Sequence, residues 1–303
     1  MPEEPAIHTE DLTKRFGNFT ALTDLNIDIQ RGEVFGFLGP NGAGKTTAIR
    51  TLLDEIRPSA GRAEILGLDT HRNSVEIRRH VGYLPDDLAM YPNLTGRDTL
   101  RYFANLRGGV EWDFVEQLAE RFTATLDKKV GGLSSGNRQK IGLIQAFMNR
   151  PDVLIMDEPS SGLDPLVQQE FQHMLREVAS EGRTVFLSSH TLSEVQRAAD
   201  RIGIIRSGKL IAVEAVAGLR SKAVRHVVLH LDSAADGEAD FGAVSGVRDV
   251  KIDAKVVTLS IDGPMAPLLK MVSERFTIVD MSVEEADLED IFLTYYRDEP
   301  AAA

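Results

Sequence analysis

A chain of 303 residues with 43% hydrophobic residues has enough apolar material for a sizeable core, in one large domain or two small ones. Its 34 lysines and arginines against 46 aspartates and glutamates leave a net charge of −12, which argues against a general nucleic-acid binder because such a surface repels phosphates. The absence of cysteine excludes disulfides and thiolate metal sites, and no apolar run approaches the ~18 residues that cross a bilayer.

The opening Met1-Pro2-Glu3-Glu4-Pro5 is acidic and lacks the apolar run of a signal peptide, so a cytosolic, soluble protein is expected. From Ile7 to Leu38 the pattern is strand-rich. Leu25, Ile27 and Ile29 alternate with polar residues as a half-buried strand does. Phe16, after Lys14-Arg15, is an aromatic able to stack on a base, although taken alone such a residue reads first as core packing. Val34 to Leu38 reads as a short buried strand, and Thr46 to Leu53 as a helix.

Between them stands Gly39-Pro40-Asn41-Gly42-Ala43-Gly44-Lys45-Thr46-Thr47, which fits Gly, four residues, Gly-Lys-Thr. Strand, glycine-rich loop and helix are the context a phosphate-binding loop requires. Its glycines let the backbone turn N–H groups inward, and the helix N-terminus adds partial positive charge. Lys45 is expected to reach the β- and γ-phosphates of a nucleotide, and Thr46 to offer its hydroxyl to Mg²⁺.

Further on, Ile65-Leu66-Gly67 and Val81 to Leu84 read as short strands, the latter followed by a Pro85-Asp86-Asp87 loop. Thr95 with Asp98 resembles a capping box, and helical spacing continues through Phe114 to Phe122. Gly131 to Asn137 forms a second glycine- and serine-rich turn, leading into a helix over Arg138 to Asn149. A simple helix cap and an anion site both fit that turn. Val153 to Met156 is a buried strand ending in Asp157-Glu158. Beside a phosphate loop, Asp157 is placed to hold Mg²⁺ and Glu158 to deprotonate water. Ser160 to Pro165 is a turn before a helix over Val167 to Glu181, and Thr184 to His190 is a strand with a histidine at its end. Strand C-termini face the ligand in such sheets, which favours a functional His190.

From about Arg225 a separate α+β module is expected, for which a ferredoxin-like form is one reading. It comprises a strand at Val227 to Leu231, a hairpin over Lys251 to Ile261, a helix through Leu268 and Val272, a strand over Thr277 to Val283, and a last helix through Leu288, Ile291, Phe292 and Tyr295. The tail Ala301 to Ala303 is expected to be disordered. His226 and His230 share a strand face, but two histidines make no metal site alone.

Taken in order, Phe16, the phosphate loop, Tyr83-Leu84-Pro85-Asp86, the Ser134 turn, Asp157-Glu158, Ser161 to Asp164 and His190 resemble the nucleotide-binding subunit of an ATP-binding cassette transporter, over about Ala6 to Ala217. The resemblance implies an α/β P-loop NTPase cassette over residues 1–220, with a RecA-like core, an antiparallel β-subdomain and a helical signature subdomain near 93–150, followed by the accessory α+β module over 221–303. It implies ATP and Mg²⁺ as ligands. Phe16 would stack on adenine, residues Gly39 to Thr47 would hold the nucleotide, Glu158 would be the catalytic base, and His190 would contact the γ-phosphate. Thr46 and Asp157 would serve the metal, joined by Asp86.

The resemblance further implies a head-to-tail dimer with a second copy. There Ser134, Ser135, Gly136 and Asn137 would meet the partner's ATP, and Asp164 would cross between the two sites. An integral membrane permease would be the other partner, placing the protein on the cytoplasmic face of the membrane; no nucleic-acid partner is implied. Two residues depart from the family pattern. Asp86 stands where glutamine is usual, and an ionised carboxylate cannot donate a hydrogen bond. The usual Leu-Ser-Gly-Gly-Gln reads here Leu133-Ser134-Ser135-Gly136-Asn137. Both departures, and the ending Leu288-Glu289-Asp290-Ile291-Phe292, look like the branch that exports drugs and antibiotics.

Three other functions fit the sequence less well. Translation-associated cassette proteins usually carry two cassettes and a basic linker, unlike this acidic chain. Chromosome-maintenance ATPases insert a long coiled coil, but Lys45 and Ser134 are only roughly 90 positions apart with no sustained heptads. A nucleotide-gated scaffold without catalysis would have no need of both Glu158 and His190.

Overall fold

The computed structural model describes residues 4–218, 225–235 and 241–285. The chain divides into two units, Met1–Glu214 and Ala215–Ala303, where the sequence reading put the junction after residue 220.

The first unit opens with a long antiparallel hairpin, β1 (Ile7–Phe16) and β2 (Phe19–Ile29), then β3 (Val34–Leu38) and helix α1 (Lys45–Leu52). Next come β4 (Ala60–Ile65), β5 (Leu68–Asp69), α2 (Ser74–His80) and β6 (Val81–Leu84). Three helices follow, α3 (Gly96–Leu106), α4 (Trp112–Arg121) and α5 (Ser135–Phe147). The unit closes with β7 (Val153–Asp157), α6 (Pro165–Ser180), β8 (Thr184–Ser189), α7 (Leu192–Ala198), β9 (Arg201–Arg206) and β10 (Lys209–Ala215).

Two sheets result. The antiparallel one has the order β2-β1-β4-β5, and the central one β10-β9-β3-β8-β7-β6. In the central sheet β9, β3, β8, β7 and β6 pair in parallel. β3, β7 and β8 are buried at every position, as parallel strands covered on both faces must be. Helix α1 touches β7 of one sheet and β2 and β4 of the other, so the helix after the phosphate loop lies between the two layers. The Phe35, Phe37 and Phe186 rings stack within this core.

The second unit is a four-stranded antiparallel sheet with order β12 (Val247–Asp253), β13 (Val256–Ile261), β11 (Arg225–Leu231) and β14 (Ile278–Glu285), plus helix α8 (Ala266–Arg275). Counted within the unit this is the split βαβ strand order of ferredoxin-like folds. Val227, Leu229, Val257, Leu259, Leu268 and Val272 fill its core.

Several sequence expectations are corrected. Ile65-Leu66-Gly67 is a strand end and a turn, with Leu66 at φ 54° and Gly67 at φ 77°; the strand itself begins at Ala60. The signature helix starts at Ser135, not Arg138. Helix α2 went unread because Ile77 is its one buried residue, which leaves no apolar period to see. The expected last helix, at Leu288, Ile291, Phe292 and Tyr295, and the tail Ala301 to Ala303 lie outside the described residues.

The β1–β2 ladder slips between Thr9 and Leu12. Buried Thr9 repairs the slip, its hydroxyl donating to the Leu25 carbonyl and accepting from the Ile27 amide, both at 2.9 Å. Thr9→Val keeps the shape and orphans both backbone groups. We expect a loss of about 2–4 kcal/mol in denaturant unfolding, the cost of two buried unsatisfied groups.

Candidate active site

Because the central strands are parallel, β3, β7 and β8 all end at one edge of the sheet. Leu38 pairs with Ser189 and Asp157 with Ser188 at those ends. The loop after β3 is fastened there, its Gly39 amide donating to the Ser189 carbonyl at 3.2 Å. Gly44 closes the loop at φ 112°, and a Cβ on it would lie 2.7 Å from the Ala21 carbonyl oxygen, so only glycine fits. Helix α1 then begins with no side-chain cap and no acidic residue in its first turn. Its first amides are therefore open to an anion.

Lys45 is 6% exposed. Its ammonium donates to the carbonyls of Gly39 at 2.6 Å and Pro40 at 3.3 Å, and lies 3.2 Å from Glu158 Oε1. The other carboxylate oxygen, Oε2, is 2.8 Å from His190 Nδ1. An ionised carboxylate only accepts, so Nδ1 carries the proton. Glu158 sits at φ 50°, a left-handed backbone that turns its side chain off the strand line toward Lys45. A cavity of about 440 Å³ opens over these groups, lined by residues 40–47 with Phe19, Ala21, Asp86 and Glu158.

Asp157 is almost fully buried beside it. Its Oδ1 accepts the Ser188 hydroxyl, and Oδ2 has no hydrogen-bond partner among the described residues. Asp86 is an exposed residue on the cavity wall. Burial, then the charges of Asp157 and Glu158, push its carboxyl above the usual range.

The Ser134 turn does not line this cavity. Ser134 caps α5, its hydroxyl accepting from the Asn137 amide at 3.2 Å. Gly136 lies so close to the next loop that a Cβ would come within 2.4 Å of the Gly162 carbonyl. Ser135 is exposed. Asn137 clasps the backbone of Thr125, accepting from its amide at 2.8 Å and donating to its carbonyl at 2.9 Å. Asp164 caps α6 through the Val167 amide at 3.1 Å and pairs with Lys140 at 3.2 Å. The Val167 amide first, then Lys140, hold its carboxyl below the ordinary range.

A family profile described as "ABC transporter" matches residues 22–161. The bacitracin transport ATP-binding protein BcrA of Bacillus licheniformis is 33% identical over 95% of this chain and 96% of its own. The chain belongs to the ABC transporter family. It is the ATP-binding subunit of an ABC transporter, an ATPase. A solved ATP-binding subunit of an ABC transporter is 28% identical and superposes with a TM-score of 0.66 over 71% of this cassette chain and 92% of that one. The cassette MJ0796, whose dimeric structure was solved bound to ADP and Pi, shares the fold at 21% identity and TM-score 0.64, over 69% of this chain and 98% of that one.

Among the described residues no three histidines or acids cluster as an all-protein metal site. The cassette nonetheless fits Mg²⁺, which keeps waters and shares substrate phosphate oxygens. The orphaned Asp157 Oδ2, with Thr46 and Asp86 on the cavity wall, offers the oxygens that would hold it.

Phe16 and Phe19 are partners across a two-residue turn and so share a face of the hairpin. Phe19, 66% exposed, lines the cavity; Phe16, 49% exposed, carries the Lys14 ammonium over its ring at 4.8 Å. Sequence reasoning singled out Phe16 and missed Phe19, whose signal was a second aromatic just past the turn. It also missed Gln139, which donates to the Pro159 carbonyl at 3.0 Å and so ties the signature helix to the loop after Glu158. We expect Phe19→Ala to weaken ATP binding by roughly 1–2 kcal/mol while leaving inorganic triphosphate binding unchanged, as measured by competition titration.

Proposed function

We propose that this cassette hydrolyses Mg-ATP with Glu158 as general base, and that closure of two copies around ATP powers export through a separate membrane permease. The observation that carries the reading is the chain Lys45–Glu158–His190, a mostly buried carboxylate held at 3.2 Å from an ammonium and 2.8 Å from an imidazole. Phosphate oxygens would take the Lys45 ammonium and the amides of the loop and of α1. Glu158 would accept the proton of the attacking water, with His190 orienting that water and touching the γ-phosphate. Thr46, Asp157 and Asp86 would hold Mg²⁺, which supplies charge neutralisation on the phosphate oxygens.

The signature Ser134, Ser135 and Gly136 lie outside the Lys45 cavity, which supports their meeting ATP held by a second, head-to-tail copy. The dimer reported for MJ0796 is in keeping with that arrangement. Asn137 and Asp164 would act by stiffening the two loops presented to the partner. Antibiotic cargo is supported by the bacitracin transport relative, whose likeness spans both units. Among the described residues no helix is long and apolar enough to cross a membrane, which fits a separate permease. A groove lined by exposed Val75 and Leu106 with Arg78, Arg79 and Arg107 offers that permease apolar and cationic contacts.

Glu158→Gln keeps shape and loses the base. Phosphate release should fall about 10²–10⁴-fold, or roughly 3–5 kcal/mol, with ATP affinity little changed. Lys45→Ala should weaken binding itself, by loss of a charge-assisted contact. Parent-rate hydrolysis by Glu158→Gln would put the base elsewhere.

The dimer has its own test. Solution mass of Glu158→Gln should double on adding Mg-ATP; a monomer at high protein concentration, also unpaired when bound to permease, rejects the split site.

A further inference from the structure

We propose that Ser188 is a positioning residue for the metal and the base together, one hydroxyl that fixes which oxygen of Asp157 faces Mg²⁺ and where the backbone of Glu158 turns. The inference rests on the ATPase reading above and concerns a residue that no motif of that reading contains.

Ser188 is fully buried in β8, in a strand whose other early positions are Thr184, Val185, Phe186 and Leu187. A buried hydroxyl there is costly unless both its donor and its acceptor are used. Both are used, and on the two acids of the site. Ser188 and Asp157 face each other in the parallel ladder. The Ser188 hydroxyl donates to Asp157 Oδ1 and accepts from the Glu158 amide at 3.1 Å.

Each bond constrains something specific. The first engages one carboxylate oxygen and leaves Oδ2, buried and without a hydrogen-bond partner among the described residues, as the free ligand. The second pins the amide of a residue held at φ 50°, a conformation costly for a residue with a Cβ and kept only where its surroundings enforce it. The carboxylate of that residue is the one ion-paired with Lys45 and hydrogen-bonded to His190. A rotation of Glu158 would therefore disturb the hydrogen bond that orients Asp157, and the reverse. Hydrogen bonds behind a metal ligand commonly govern affinity about 10–100-fold.

The test compares ATP dissociation constants in Mg²⁺ and in EDTA for the full chain and for Ser188→Ala, Ser188→Thr and Ser188→Cys, with thermal unfolding of each. Mn²⁺ binding to the ADP complex, read by electron paramagnetic resonance, reports the metal without turnover. Ser188→Ala should lose about 10-fold of the affinity gained from Mg²⁺ and weaken Mn²⁺ binding similarly, with the EDTA constant within about 2-fold. Ser188→Thr, which keeps the hydroxyl, should retain the parent gain. If Ser188→Ala does not fold, Ser188→Cys, a weak donor of similar size, is read in its place. A folded Ala or Cys variant with the parent's Mg²⁺ gain overturns the proposal. So does equal loss in Mg²⁺ and EDTA, which a purely structural hydroxyl would produce, or a folded Thr variant that loses as much as Ala. Failure of the parent to bind ATP would instead count against the ATPase reading, so the two are separable.

Discussion

An ammonium ion buried to 6% exposure has to be surrounded by oxygens, and the placement of Lys45 makes much of the first unit follow from that need. Two of its oxygens are carbonyls of the loop it closes, Gly39 and Pro40, so the loop is folded around its own lysine. The third belongs to Glu158, brought from another strand. That contact requires β3 and β7 to end at the same edge, with β8 between them. Parallel strands covered on both faces deliver this edge, and helix α1 between the two sheets holds Lys45 at its first residue.

What the sequence disclosed tracks how local the cause is. The phosphate loop, the strand ending in Asp157-Glu158 and the capping Ser134 and Thr95 are each set by residues within a few positions, and each sits where its spacing implies. Thr95 shows the limit even there, since its hydroxyl is bonded to the Asp98 side chain as well as to its amide. Contacts made between distant segments left weaker traces. Asn137 reads as a changed signature residue, yet its amide is spent on Thr125 twelve positions earlier. Ser188 reads as one more strand residue. The available clue was a pair of serines ending a strand whose middle is apolar, which says that partners exist but not which ones.

The proposed split between the two halves of the site has a physical basis within a single copy. Ser134, Asn137 and Asp164 are each committed to bonds inside their own subunit, and Gly136 is pressed against Gly162. The signature turn and the loop after Glu158 are thus packed as one piece, with Gln139 joining them from behind. Such a piece presents backbone amides and a serine hydroxyl at a fixed spacing. Ordering it costs little when a ligand arrives, because the entropy has already been lost in folding.

Charge decides how the parts act in sequence. Asp86, Asp157 and Glu158 crowd around a single ammonium, and desolvation first, then the charges of the other two acids, holds the Asp86 carboxyl above its ordinary range. A triphosphate adds more negative charge to that space. A divalent cation entering with it would offset that repulsion, which is why the cation and the nucleotide belong together in the proposed mechanism. The incoming phosphate then competes with Glu158 for Lys45. In that mechanism, as the ammonium turns toward phosphate, Glu158 would lose its contact with Lys45 and keep the hydrogen bond to His190 at 2.8 Å. The backbone of Glu158 stays where Ser188 pins its amide. The carboxylate is therefore freed on the side that faced Lys45 and held on the side that faces His190, so that loading the site and exposing the base are a single exchange of partners.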